Sequence, residues 1–143
     1  MKLLDLNLLL YAVDATSARH ERAKAFLEEA LRDEELIALP WVVITGFVRV
    51  STNPRVFREP LTSEQATGFI DAMLARPNVV PVDPGTDHWR TLRSLLREHG
   101  ATGNLVTDAH LATLAIERGA ELCSADADFR RFATLRWRNP LAD

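Results

Sequence analysis

The chain opens on the run Lys2-Leu3-Leu4-Asp5-Leu6-Asn7-Leu8-Leu9-Leu10, in which leucines surround a single carboxylate. A near-continuous apolar run is typical of a parallel strand that helices cover on both faces. The run therefore predicts a strand that extends to Leu10. A carboxylate in such a strand is costly unless another group compensates its charge. Asp5 is thus either a functional residue at the strand end or a capping residue with Asn7 as its turn partner, and both interpretations stay open.

Strand and helix patterns alternate along the rest of the chain. Further strands are predicted at residues 35–39, 78–82, 120–124 and 135–137. Helices are predicted after a cap at Thr16 or Ser17, over 41–50, after the capping box at Thr62, from Thr86 or Asp87 to Gly100, and over 103–118. This alternation predicts an α/β fold of three layers, with a central, mostly parallel sheet flanked by helices. A length of 143 residues fits one domain spanning 1–143.

Composition excludes several classes of protein. The chain is 47% hydrophobic and 26% charged with a net charge of −3, as in an ordinary globular protein. Its one cysteine, Cys123, excludes an internal disulfide. Asp5 and Asn7 interrupt the opening apolar run, so we expect neither a signal peptide nor a membrane span, and a cytoplasmic location. The four histidines lack zinc-site spacing, and no glycine-rich phosphate loop is present.

Acidic residues recur where the predicted elements end or begin. Asp108 lies in the first turns of the 103–118 helix, and Asp126 and Asp128 follow the 120–124 strand. Doubly wound topology would bring these acids and Asp5 to one edge of the sheet. Carboxylates held close together require a bound cation or raised pKa values, and all-oxygen ligands select Mg²⁺ or Mn²⁺. The alternative is that Asp108 and Asp126 cap helices while Asp128 is solvated.

Four segments together resemble the PIN-domain family, specifically the VapC-type toxins of type II toxin–antitoxin systems. They are Leu4-Asp5-Leu6-Asn7, the helix with Thr45 and Arg49, Thr107-Asp108-Ala109 with Leu111-Ala112, and Ser124-Ala125-Asp126-Ala127-Asp128-Phe129. The resemblance extends in order over essentially the whole chain. It implies a metal-dependent endoribonuclease toxin that hydrolyses RNA by means of an activated water molecule.

The resemblance also assigns roles to individual residues. Asp5, Asp108 and Asp126 would be catalytic, and with Asp128 they would hold Mg²⁺, with Mn²⁺ as an alternative. Substrate-binding or supporting positions would be Asn7, Thr45, Arg49, Asn104 and Ser124. Asn104 is open to a second interpretation as the N-cap of its helix. The implied partners are RNA, a VapB-like antitoxin and a second copy of the chain, with helices 41–50 and 62–74 as contact surfaces.

One position departs from the family pattern. Most PIN domains carry a Glu one turn before the Arg of the second motif, near Gly46 here, but residues 44–49 contain no carboxylate. A branch of VapC-like toxins shares this loss. The number of metals is therefore open, and so is the alternative of a catalytically weak or inactive PIN-like binding module. A phosphatase with Asp5 as nucleophile is disfavoured, because Asn7 stands where a second acid is needed.

An RNA substrate is compatible with the acidic net charge. Leaving out the four cleft acids changes the formal charge from −3 to +1. Two groups of arginines flank the motifs and are predicted to contact phosphates or bases, namely Arg49, Arg55 and Arg58, and Arg130, Arg131, Arg136 and Arg138. The alternative is that each arginine is solvated or paired at the surface.

Overall fold

The computed structural model describes residues 1–142 and contains a five-stranded sheet in which every strand pair is parallel. The strands are β1 (Lys2–Leu4), β2 (Ile37–Pro40), β3 (Val79–Val82), β4 (Glu121–Cys123) and β5 (Trp137–Arg138). Their order in the sheet is β3-β2-β1-β4-β5. Successive connections leave the central strand β1 in opposite directions, so the sheet has a switch point at the carboxyl ends of β1 and β4.

Six helices flank the sheet. They are α1 (Leu6–Val13), α2 (His20–Arg32), α3 (Trp41–Ser51), α4 (Ser63–Leu74), α5 (His88–His99) and α6 (Asn104–Arg118). The core between the sheet and the helices is mainly aliphatic, with three buried phenylalanines (Phe47, Phe129 and Phe132), and Leu3 and Leu4 of β1 are fully buried in it. The predicted α/β fold with a parallel sheet is confirmed. Within residues 1–142, no helix combines the length and apolar character that crossing a bilayer requires.

The opening run divides between a strand and a helix. β1 ends at Leu4, and Asp5 has extended backbone (φ −81, ψ 158) and accepts a 2.7 Å hydrogen bond from the backbone N–H of Leu6. Leu8, Leu9 and Ala12 then face the core at helical spacing. The predicted strand through Leu10 is wrong beyond Leu4. Leucine favours helices over strands, and Asp5, the N-cap of α1, allows the chain to pass from strand to helix within the run.

Other boundaries were predicted with mixed success. The helix over 41–50 and the capping box of Thr62 with Gln65 are confirmed. A helix start at Thr16 or Ser17 is wrong, because α2 begins at His20 and the Ser17 hydroxyl accepts from the Arg19 N–H in a preceding turn. A short 3-10 helix over Ala127–Arg131 was not predicted. This helix starts with a local hydrogen bond from the Asp128 N–H to the Asp126 side chain, and it is too short to show a helical period in the sequence.

The start of α6 also differs from one of the sequence interpretations. Gly103 occupies the N-cap position with φ +60 and ψ −132, a conformation that favours glycine. Asn104 is therefore the first helical residue, exposed to solvent, and its interpretation as the N-cap is wrong. Asp108 lies one turn further along α6 and does not cap it, whereas Asp126 does cap the 3-10 helix.

Candidate active site

Three carboxylates converge at the switch point of the sheet. Asp126 and Asp128 follow β4, and Asp108 reaches the same place from α6. One oxygen from each of these three side chains lies within 4.8 Å of the other two. Asp5 follows β1 beside them, because Leu4 and Cys123 are partners in the register of β1 and β4. The four acids named from the sequence thus border one cleft.

Ser124 connects the ends of β1 and β4. Its fully buried hydroxyl donates a 2.6 Å hydrogen bond to Asp5 Oδ2. The hydroxyl oxygen of Ser124 in turn accepts from Asn7 Nδ2 at 3.1 Å and from the backbone N–H of Asp126 at 3.0 Å. A hydroxyl has one proton and two lone pairs, so every bonding position of Ser124 is used. These contacts orient the Asp5 carboxylate relative to Asp126.

Asp126 and Asn7 shape the loop that leaves β4. Asp126 Oδ1 accepts a 2.9 Å hydrogen bond from the backbone N–H of Asp128, which starts the 3-10 helix. Asn7 Oδ1 accepts from the Ala125 N–H at 3.4 Å. Phe129, fully buried, anchors the 3-10 helix in the core. Asp126 therefore both caps the 3-10 helix and lies in the acidic cleft.

Negative charge predominates in the cleft formed by the described residues. Burial, together with the negative charges of Asp126, Asp5 and Asp128, raises the pKa of Asp108 to about 6, against a lowering effect of Arg131. Burial also raises the pKa of Asp5, against the lowering effect of its hydrogen bonds from Ser124 and Leu6. Close carboxylates with raised pKa values are the arrangement that a bound cation stabilises.

The family model described as the PIN domain matches residues 2–135. The chain belongs to the PIN-domain family. Ribonuclease VapC43 of Mycobacterium tuberculosis is 43% identical to it over 141 residues, which cover 99% of this chain and 96% of the relative. Ribonuclease VapC37 of the same organism is 41% identical over 142 residues, or 99% of both chains. The resemblance inferred from the motifs is confirmed.

Solved structures show the same fold for this PIN domain. VapC20 of Mycobacterium tuberculosis, described as a sarcin-ricin loop cleaving toxin, superposes with a TM-score of 0.71 at 16% identity and covers 97% of this chain and 100% of its own. VapBC2 of Rickettsia felis, solved with a DNA fragment from its promoter, gives a TM-score of 0.69 at 23% identity, with coverage of 96% and 97%. At these identities the likeness concerns the fold alone.

Three other residues named from the sequence are exposed to solvent in this PIN domain. Thr45 is exposed on α3, and its hydroxyl donates to the Trp41 carbonyl in its own helix at 2.9 Å. Arg49 on α3 and Asn104 on α6 are also exposed. Across residues 1–142, no hydrogen bond or ion pair joins these three side chains to the acidic cleft. Their assigned roles stay predictions.

Gly46 lies close to the cleft but carries no acid. It is buried where α3 packs on α1, and a Cβ atom at this position would lie 3.1 Å from Cδ2 of Leu6, the residue after Asp5. Most PIN domains carry a Glu near Gly46. In this chain the side chain of Leu6 occupies the space next to that glycine. The acidic cluster of this PIN domain is formed without a carboxylate from α3.

The arginines divide by their surroundings. Arg131 Nη2 lies 3.8 Å from Asp128 Oδ1, at the edge of the cleft. Arg138 pairs with Glu121 at 3.0 Å and Arg136 donates to the Gly119 carbonyl, so both have structural partners. The arginines of the first group are all exposed and form no ion pair among the described residues, namely Arg49, Arg55 and Arg58.

Trp137 was not singled out by its sequence. Its indole Nε1 donates a 3.2 Å hydrogen bond to the backbone carbonyl of Ser124. The guanidinium carbon of Arg130 lies 5.3 Å from the centre of the Trp137 ring. No sequence pattern marks a tryptophan in a short strand as functional. Its contacts with Ser124 and Arg130 are visible only in the structure.

Proposed function

We propose that this PIN domain is a metal-dependent endoribonuclease, the toxin of a toxin–antitoxin pair, that hydrolyses phosphodiester bonds in RNA. The observation that carries the proposal is the convergence of Asp108, Asp126 and Asp128 within 4.8 Å at the switch point, beside Asp5. The relatives named VapC ribonucleases support the reaction, since they match nearly the whole chain at 41–43% identity.

The donor set fits a hard divalent cation. All four ligand candidates offer carboxylate oxygens, which Mg²⁺ and Mn²⁺ prefer over the nitrogen and sulfur ligands typical of zinc. Asp5, Asp108, Asp126 and Asp128 would hold the ion. When bound, the ion supplies a water of lowered pKa and neutralises negative charge on the phosphodiester. The repulsion that raises the pKa of Asp108 is then relieved.

The residues of the chain prepare this site. Hydrogen bonds from Ser124 and the Leu6 N–H orient Asp5, so its carboxylate needs little reordering to act as a ligand. Asp108 must release its proton before it can ligate, so cation affinity should fall as pH drops below about 6. Arg131, beside Asp128, offers a cation for a substrate phosphate at the rim of the cleft.

The partners are proposed by analogy with the relatives. The solved VapBC complexes, including that of Rickettsia felis, support a VapB-like antitoxin for this chain. A homodimer is proposed on the apolar face of α3, where Trp41 is 46% and Val42 is 39% exposed. Arg49, also exposed on α3, is proposed to contact RNA phosphate.

The alternative function is a PIN-like module that binds RNA or protein with weak or no catalysis. It is favoured by one observation, the presence of Gly46 against Leu6 where most of the family has an acid nearby. Cleavage of RNA that depends on a divalent cation separates the two functions, because a binding module would retain RNA affinity without turnover.

The decisive variant is Asp5→Asn. We expect Mn²⁺-dependent or Mg²⁺-dependent RNA cleavage by the wild type, its loss in chelator, and its loss in Asp5→Asn. The asparagine amide would face the donating hydroxyl of Ser124, so we expect no gain in stability from the removed charge. Asp71→Asn, an exposed position on α4, is the matched control and should cleave normally. Cleavage at the wild-type rate by folded Asp5→Asn protein would exclude Asp5 from the reaction.

A further inference from the structure

The segment from Ser124 to Arg131 carries two of the proposed metal ligands, Asp126 and Asp128. A single side chain of β5 contacts this segment at two points. The Trp137 indole N–H bonds the Ser124 carbonyl at 3.2 Å, before the ligands, and the Trp137 ring faces the Arg130 guanidinium at 5.3 Å, after them. Trp137 therefore spans the stretch of chain on which both ligands lie.

We propose that Trp137 is a positioning residue, which holds the segment of Asp126 and Asp128 in the geometry that a divalent cation requires. This inference rests on the proposed metal-dependent function and adds a residue outside the acidic cleft. Within residues 1–142, Trp137 forms no hydrogen bond with the acids, and it acts through Ser124 and Arg130.

The first contact acts through the peptide group of Ser124. The hydroxyl of Ser124 bonds both Asp5 and the Asp126 N–H, while its backbone N–H donates to the Arg138 carbonyl at 3.1 Å. The indole bond to the Ser124 carbonyl restricts rotation of the peptide group that follows. Because this hydroxyl connects Asp5 with the backbone of Asp126, a shift of Ser124 would move the two acids relative to each other.

The second contact acts beyond the ligands. A guanidinium over the face of a tryptophan is attracted to the ring, and the attraction is strongest for tryptophan among the aromatic residues. Arg130 lies two residues after Asp128 in the 3-10 helix. Its attachment to Trp137 complements the burial of Phe129 and fixes the exposed side of this helix. The tryptophan side chain combines an N–H donor with a ring that attracts cations, so phenylalanine retains one contact and loses the other.

The test compares Trp137→Phe with wild type by amide hydrogen exchange in the metal-free protein and by Mn²⁺ titration calorimetry. The reporters are the Asp126 and Asp128 amides, which bond Ser124 Oγ and Asp126 Oδ1. We expect both amides to exchange faster, amides of β1 and β2 to be unchanged, and Mn²⁺ affinity to fall about tenfold, the effect of losing a partner behind a ligand. Arg130→Gln should give the same pattern with a smaller change.

The matched control is Trp89→Phe, since Trp89 is 62% exposed on α5. It should match the wild type in both measurements. Unchanged exchange at Asp126 and Asp128 in Trp137→Phe would overturn the inference, as would uniform acceleration over the whole sheet, which would make Trp137 a general stability residue. Absence of Mn²⁺ binding by the wild type would overturn the metal-dependent function instead, and the exchange data would still decide the role of Trp137.

Discussion

Asp108 shows how position changes the chemistry of one residue. Its pKa is raised from 3.8 to about 6, so the folded protein holds this proton more tightly than the unfolded chain does. The metal-free protein should therefore lose stability as pH rises from about 4 to about 6, because the unfolded state gives up the proton at lower pH. After allowance for solvent screening of this half-exposed group, the contribution is on the order of 1 kcal/mol.

This prediction is checked by urea unfolding in chelator at pH 4.5 and pH 7. Asp108→Asn removes the titrating group, so its free energy of unfolding should exceed that of wild type by more at pH 7 than at pH 4.5. Asp71→Asn on α4 should follow the wild-type pH dependence. An Asp108→Asn curve parallel to wild type at both pH values would contradict the raised pKa.

Ser124 gives a second prediction at the scale of the residue. Ser124→Ala leaves the Asn7 amide, the Asp126 N–H and an oxygen of Asp5 without this partner in a buried place. We expect a loss of about 1–3 kcal/mol in the free energy of unfolding, the cost of unpaired buried polar groups. Ser94→Ala removes an exposed hydroxyl bonded within α5 and should change stability little. Equal stability of the two variants, measured by chemical denaturation, would refute the role of Ser124.

At the scale of the element, the start of α6 depends on one glycine. Gly103 has φ +60 and ψ −132 and precedes the helix that carries Asp108. Gly103→Ala should destabilise the protein by about 1–3 kcal/mol through backbone strain and weaken Mn²⁺ binding by displacing Asp108. Gly68→Ala is the control, because Gly68 lies within α4 and a Cβ there meets open space.

The two glycine variants should differ in sign. Gly68→Ala replaces the weaker helix former within a helix and should stabilise the protein by up to about 1 kcal/mol. Thermal unfolding combined with Mn²⁺ titration measures both effects. If Gly103→Ala were as stable as wild type, the glycine-specific conformation would not be needed to begin α6.

At the scale of the whole molecule, the exposed apolar face of α3 predicts self-association. Trp41 and Val42 lie exposed on that face. Trp41→Asp would place a charge in the proposed dimer contact and should weaken dimerisation by about 2 kcal/mol or more, the loss typical of an interface tryptophan. Trp89→Asp, at 62% exposure on α5, is the matched control. Sedimentation equilibrium at micromolar concentration measures the result, and a wild-type monomer there would refute the dimer.

Local sequence patterns predicted the five strands, five of the six helices in residues 1–142, the parallel sheet and the family, but they missed α1. Those features depend on local patterns that one segment carries alone, such as the capping box of Thr62 and Gln65 or the apolar strand ahead of Asp126. The sequence also identified the four acids of the cleft, because parallel strands present the residues at their carboxyl ends along one edge. The opening leucines were misassigned beyond Leu4, since an apolar run without polar positions has no visible period.

The surroundings of those acids depend on how the strands and helices pack together. Ser124 meets Asp5 across 119 positions of the chain, and Trp137 meets Ser124 across 13, so no local pattern relates them. The pKa of Asp108 likewise depends on its burial and on the nearby charges of Asp126, Asp5 and Asp128. Chain periodicity specifies which face of an element is buried, whereas hydrogen bonds and charge interactions depend on distances that exist only after the elements have packed.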